Sequence, residues 1–444
     1  MSPSETLSPT SIKDAENLHD GSSLASLPVL AATWDRLAAR RASRGRRAAI
    51  GIDGVRAEVF ARNLDRNLAE IARKMARRDD AGTTAYRLGP LVKRVLVTPR
   101  GKQRTVYVPR MRDQLVLRVV ADTLAASMRQ RGISASPPTF GRLIPQLHRA
   151  VGSGQFRYAL RADVASYYAS IPHALLLREL DPLSLHPDVI ALIQQLLDCE
   201  IRDPLSAHGS GRRLSVGLPT GVSVANLLGE LYLSGVDREL EGTGALTFRF
   251  VDDFLVLCPD LGTLEAAEQR LRAALDVRGL HISESKFSRT NLDIGAQFIG
   301  LDISLGGVSV DPERIARWAT ARSRMFRTGA RLIAEAASRP AAEALLADLV
   351  LRVNRDLSGL TGPLVPLLAL TRQDDLLESL DRLVLTALGG IFRRMGCVPS
   401  GVFRVSSARE WAHRWRESPI RARRAAQRLF SAPVSNPSGV ALTA

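Results

Sequence analysis

The sequence predicts an α+β protein, an antiparallel sheet backed by helices and followed by a helical C-terminal region. Three observations predict it. Leu246, Phe248 and Phe250 alternate with Thr247 and Arg249, the period of a half-buried strand, and Phe254 to Leu257 form a continuous apolar run that suits a strand covered on both faces. Other stretches repeat at helical spacing, as do Val59, Phe60, Leu64, Leu68, Ile71 and Met75. From Asp311 the pattern is helical almost to the end of the chain.

The chain has 444 residues, enough for two or three packed subdomains, and its 45% hydrophobic content supports a substantial core. The formal net charge of +16 favours a polyanionic partner, most simply nucleic acid. Codon bias accounts for arginine over lysine, since only Lys13, Lys74, Lys93, Lys102 and Lys286 are lysines, but it does not account for the excess of 61 basic over 45 acidic residues. Cys199, Cys258 and Cys397 form no CxxC pair, so neither a zinc knuckle nor a disulfide framework is indicated, which fits a reducing cytoplasm. No apolar run reaches the roughly 18 residues of a membrane span. The N-terminus carries Glu5, Asp14, Glu16 and Asp20 rather than a basic segment, unlike a signal peptide.

Residues 1–30 read as a disordered tail, rich in Ser, Thr and acidic groups. Arg36, Arg40, Arg41, Arg44, Arg46 and Arg47 follow as a run that is either a solvated face or a grip on phosphates. The segment from Val92 to Pro109 reads as a hairpin turning at Gly101. Val95/Val97 and Val106/Val108 are expected on its apolar faces, with Lys93, Arg94, Lys102 and Arg104 opposite. Such a hairpin either clamps phosphates or is a solvated edge guarded by charge.

Met111 to Met128 and Ala174 to Leu197 are expected helices, and Phe156 to Val164 a strand with Asp163 near its end. Gly217-Leu218-Pro219-Thr220-Gly221 is turn chemistry opening a helix through Ala225 to Leu233. Leu264 to Val277 is an amphipathic helix, and Phe298 to Ile303 another strand. Asp311 suits a helix N-cap and Pro312 the first helical position. Arginines crowd the helices after it, and Gly359, Gly362 and Pro363 mark a break. Trp411 and Trp415, among further arginines, mark a last basic helical region, and 431–444 a polar tail.

The chemistry centres on carboxylates. Asp252 and Asp253 sit at the bend after one apolar strand, and Asp163 at the end of another. The adjacent pair alone also fits a solvated turn. If the two strands lie side by side, three carboxylates meet at one sheet edge. Oxygen-only ligands of this kind suit Mg²⁺, with Mn²⁺ as the alternative. Two ions about 3.5–4 Å apart would activate an attacking hydroxyl and steady a departing pyrophosphate.

Several motifs share one resemblance. Phe250-Val251-Asp252-Asp253 resembles the [Tyr/Phe]-x-Asp-Asp box of reverse transcriptases. Asp163 to Ile171 is similar to the first palm motif of that family, Gly217 to Gly221 to the motif lining the incoming nucleotide, Lys102-Gln-Arg104 to its fingers hairpin, and Phe298-Ile-Gly300 to its primer grip. The motifs keep the family's order over roughly residues 50–305. The resemblance implies a right-hand polymerase with fingers at 31–150, a palm at 151–310 and a helical thumb and extension at 311–430. Asp163, Asp252 and Asp253 would bind metal. Tyr168 would exclude a 2′-hydroxyl and so select deoxynucleotides. Pro219, Thr220 and Gly221 would form the nucleotide platform, and Arg104 with Lys93 would hold the triphosphate. Lys286 would act as an acid near the pyrophosphate, or be a surface residue.

The implied partners are an RNA template, an RNA–DNA duplex, deoxynucleotides and a dedicated non-coding RNA or accessory protein. Thr220 stands where many mobile-intron relatives carry Gln, and the seven scattered histidines suggest no HNH nuclease. A lone core with a helical extension is similar to the bacterial defence-associated and abortive-infection group. Untemplated or protein-primed synthesis by the same site, and a silent RNA-binding scaffold, are the competing readings.

Overall fold

The computed structural model describes residues 24, 26–44, 50–97, 103–203, 211–359, 362–396 and 404–431. Lys102, Gly101, Cys397, Arg46, Arg47, the polar C-terminal tail and nearly all of the N-terminal tail lie outside them, as do the side chains of Arg40, Arg41 and Arg44. The first helix, Leu27–Arg44, begins inside the segment expected to be a tail, where Leu30 and Trp34 are buried.

The central sheet contains β3 (Tyr158–Asp163), β6 (Leu246–Phe250), β7 (Asp253–Cys258) and β8 (Ser288–Asn291), in the order β6-β7-β3-β8 and antiparallel throughout. Residues of β7 alternate between two apolar cores. Phe254, Val256 and Cys258 pack into one core with the helices Ala225–Leu240 and Leu261–Asp276. Leu255 and Leu257 pack into the other with the helix Phe140–Gly152 and the C-terminal helices. This two-sided cover explains the unbroken apolar run, and each such side chain contributes about 1.5–3 kcal/mol by leaving water.

A second sheet has the order β2-β1-β4-β5, made from β1 (Leu91–Val97), β2 (Gln103–Val108), β4 (Glu200–Arg202) and β5 (Arg212–Arg213). Its hairpin therefore draws support from a segment far along the chain, through the parallel pairing of Leu91 with Ile201. A third sheet joins β9 (Ala296–Phe298), β10 (Leu301–Ser304) and β11 (Gly307–Val310). Beyond it lie the helices Pro312–Ala334, Arg339–Leu357, Leu364–Leu370, Asp374–Met395, Ala408–Glu417 and Pro419–Ser431. Asp311 caps the first of these, its carboxylate accepting from the Glu313 amide at 2.8 Å. This mixed architecture, a central antiparallel sheet backed by helices and followed by a helical region after Asp311, is the α+β class that the sequence predicts.

Four local expectations need correction. Val59 is exposed, at 47%, while Phe60, Leu68, Ile71 and Met75 are buried. The helix expected over 174–197 is two helices, His173–Arg178 and Pro187–Leu197, because Pro182 and Pro187 have no amide proton to continue it. The strand expected over 298–303 is a hairpin, β9 to β10, turning on Ile299 at φ 49° and Gly300 at φ 79°, the left-handed pair that two-residue hairpins favour. The β1–β2 hairpin also divides its residues differently. Cross-strand partners share a face, so Lys93 lies with Tyr107 and Val95 with Thr105, whereas Arg94 lies with Val106 and Leu96 with Arg104. The two valine pairs thus occupy opposite faces, and so do Lys93 and Arg104.

Candidate active site

Register in the central sheet brings the carboxylates together. Asp163 closes β3 and pairs directly with Asp253, the first residue of β7. Val251 and Asp252 form the two-residue turn between β6 and β7. Val251 holds φ at +62°, a conformation that costs a β-branched residue on the order of 1–3 kcal/mol. Two bonds anchor that turn. The Val164 amide donates to the Asp252 carbonyl at 3.2 Å, and the Arg249 Nη1 donates to the Val251 carbonyl at 2.9 Å.

Asp163 is buried, 7% exposed, and accepts from the Lys286 ammonium at 2.5 Å. Burial and the neighbouring Asp163 and Asp252 charges push the Asp253 carboxyl up to about 6. Its Oδ1 is buried without a hydrogen-bond partner, and the Arg161 guanidinium approaches only to 3.9 Å. Among the described residues no three acidic, histidine or cysteine side chains are arranged as a ready cage for an ion. The donor set nevertheless fits a hard divalent cation: carboxylates from two strands, one of them with an orphaned buried oxygen, and a lysine ammonium standing as the counter-charge on Asp163.

Tyr168 lies on the short helix Tyr167–Ser170 directly after β3. Its ring packs against Gly229, where an added Cβ would stand 3.0 Å from the Tyr168 ring. Burial and the Glu230 and Asp252 charges push its hydroxyl up to about 12, so it remains a neutral phenol. The loop Pro219-Thr220-Gly221 joins this helix to the β1–β2 hairpin. The Leu218 amide donates to the Tyr168 carbonyl at 2.6 Å, and the Tyr107 amide to the Thr220 carbonyl at 2.7 Å. The Thr220 hydroxyl donates to the Thr105 carbonyl at 2.8 Å. Gly221 is required where it stands: φ is +94° and an added Cβ would lie 3.1 Å from the Val106 Cβ.

Arg104 shares the face of Val106 that turns toward Gly221. Lys93 is on the other face, ion-paired with Asp203 at 3.5 Å. The structure therefore brings Asp163, Asp252, Asp253, Lys286 and Tyr168 together, links Pro219, Thr220 and Gly221 to them, and separates Lys93 from Arg104. Three residues near the acids gain importance that periodicity does not reveal: Arg161, Arg249 and Glu230. The available signal was a charge set within otherwise apolar segments, Arg249 in β6 and Glu230 amid Leu228, Leu231 and Tyr232.

Comparison with known proteins agrees with this geometry. Residues 93–303 match the family model described as "Reverse transcriptase (RNA-dependent DNA polymerase)". Residues 93–303 are thus similar to a reverse transcriptase domain. The two ends of this match fall in β1 and β10, so it includes the β1–β2 hairpin, the Pro219–Gly221 loop and all three acids. No curated protein sequence matches the chain.

Similar solved structures include apo telomerase from Candida tropicalis truncated from its C-terminal domain, at 14% identity and TM-score 0.40, covering 58% of this chain and 60% of that one. They also include telomerase from Candida albicans in complex with a TWJ fragment of telomeric RNA, at 12% identity and TM-score 0.45, covering 84% and 64%. The chain thus spans under two thirds of the length of these two telomerases.

Proposed function

We propose that the protein is an RNA-directed DNA polymerase that adds deoxynucleotides through two metal ions held by Asp163, Asp252 and Asp253. The observation that carries this reading is the direct pairing of Asp163 with Asp253, with Asp252 on the adjoining turn, inside the segment similar to a reverse transcriptase domain. Bound Mg²⁺, or Mn²⁺ in its place, would make the primer 3′-hydroxyl a stronger nucleophile and neutralise charge on the pyrophosphate. The chain's own groups do the rest. Asp163, Asp252 and Asp253 supply hard oxygen ligands. Lys286, once released from Asp163, is placed to give a proton to the leaving pyrophosphate. Tyr168 stands as a neutral wall against a ribose 2′-hydroxyl. Pro219, Thr220 and Gly221 support the nucleotide, and Arg104 meets its triphosphate.

The exposed residues Arg324, Arg327 and Arg331 recur at helical spacing on Pro312–Ala334, a stripe suited to the phosphates of an RNA–DNA duplex. No helix of the described residues is long and apolar enough to cross a membrane, and a cytoplasmic setting is part of this reading. So is a role in antiphage defence, with a dedicated RNA or accessory protein. That role rests on the motif resemblance and is tested by challenging cells carrying the wild type or Asp252→Asn with a phage panel. Equal plaque counts for both would reject it.

The activity is tested with a poly(rA) template and an oligo(dT) primer, each deoxynucleotide being supplied alone. Incorporation of dTTP alone supports templated synthesis. Equal incorporation of all four would replace this reading with untemplated synthesis, and label resistant to removal from the protein would indicate a protein primer.

A further inference from the structure

Arg249 is nearly buried, its side chain 11% exposed, and lies three residues before Asp252. Its guanidinium is held by two carboxylates from one face of the helix Ala225–Leu240. Asp237 accepts from Nε at 2.8 and 3.0 Å and from Nη2 at 2.6 Å, and Glu230 accepts from Nη1 at 3.1 Å. That same Nη1 holds the Val251 carbonyl at 2.9 Å. Glu230 is itself buried, with its side chain 4% exposed. It directly follows Gly229, whose carbonyl accepts from the Tyr167 hydroxyl at 2.5 Å and whose Cα seats the Tyr168 ring.

One nitrogen atom therefore connects two parts of the site. On one side is the strained turn that carries Asp252. On the other is the helix position that seats Tyr168. A guanidinium is suited to this because its donors are fixed in one plane, whereas a lysine offers a single mobile ammonium. Asp237 takes the opposite edge of the guanidinium and touches neither the turn nor the seat of Tyr168, so it anchors the arginine without taking part in the link.

We propose that Arg249 and Glu230 are a positioning pair that sets the metal-binding turn at Asp252 in register with the sugar-selecting ring of Tyr168. The inference rests on the roles given above to Asp252 and Tyr168. It has a consequence that simple structural support lacks: metal binding and sugar selection fail together when the link is cut. Glu230→Gln removes the charge on one side of the link while keeping its shape. Asp237→Asn weakens the anchor of the same arginine and leaves the link.

The test uses the full chain with primer and template, reading Mn²⁺ binding from the free-ion electron paramagnetic resonance signal and, separately, the ratio of dTTP to UTP incorporation. Glu230→Gln is expected to weaken Mn²⁺ binding roughly 10-fold, the lower end of outer-shell effects, and to lower the dTTP to UTP ratio with it. Asp237→Asn is expected to leave both within about twofold of wild type while lowering the melting temperature. Arg249→Lys repeats the test from the other partner and should resemble Glu230→Gln. Wild-type Mn²⁺ binding and sugar selection in Glu230→Gln would overturn the inference, as would equal losses in Asp237→Asn. A wild-type protein that binds no Mn²⁺ and adds no nucleotide would instead overturn the metal reading beneath it.

Discussion

Replacing Asp253 by Asn should stabilise the metal-free protein at neutral pH while removing its response to metal. Asp253 ionises with difficulty because it is partly buried against Asp163 and Asp252, and its carboxyl is raised from 3.8 to about 6. A rise of about two units, at 1.36 kcal/mol each, sets a ceiling of ~3 kcal/mol on the cost of carrying this charge in the folded state. The sign follows from proton binding. The folded pKa exceeds the unfolded one, so the proton's contribution to stability is complete below about pH 4 and is lost as pH rises through about 6. Asparagine removes the charge but leaves a buried amide to satisfy, so the expected net gain is about 1–2 kcal/mol. Urea unfolding in EDTA measures it directly. The variant should be more stable than wild type at about pH 7.5, lose that advantage near pH 4, and show no rise in midpoint on adding Mg²⁺. A variant that is less stable at neutral pH, or whose gain is the same at both pH values, would refute the like-charge argument.

Three further predictions concern nucleotide and duplex binding. Arg104→Ala should raise the KM for deoxynucleotides roughly 10- to 100-fold, as expected for a charged hydrogen bond worth about 1.5–3 kcal/mol, while Lys93→Ala on the other hairpin face should leave it nearly unchanged in steady-state kinetics. Tyr168→Ala should raise UTP incorporation relative to dTTP by about tenfold or more, read by primer extension with each nucleotide alone. Replacing Arg324, Arg327 and Arg331 together by alanine should lower the salt slope of duplex binding by about 3, measured by fluorescence anisotropy across a salt series.

The core of the site was legible in the sequence because its residues are defined by chain position. Asp163, Asp252 and Asp253 end or begin strands, and strand pairing alone aligns them. Phe254 to Leu257 announced a doubly covered strand, which the two cores on either side of β7 explain. What escaped the reading was side-chain direction and long-range support. The faces of the β1–β2 hairpin depend on a cross-strand register that alternation within each strand does not fix, so Lys93 and Arg104 were placed together when they stand apart. β4 and β5 are too short to signal a strand; β4 pairs along the edge that β1 offers, and β5 pairs on β4 in turn. The break after Arg178 was written in Pro182 and Pro187 but masked by apolar spacing on both sides. Arg249 looked like the solvent half of an alternating strand, yet it faces two carboxylates on a helix earlier in the chain.

The central claim, that three carboxylates on adjoining strands perform metal-dependent DNA synthesis, is tested most directly by extension of a DNA primer on an RNA template in Mg²⁺. Wild type and Asp252→Asn are compared after both are shown to melt alike. The account predicts product from the wild type, none in EDTA, and a loss of about 10³-fold or more in the variant. Equal extension by both proteins would contradict it, as would a wild type that makes no DNA on any RNA template supplied.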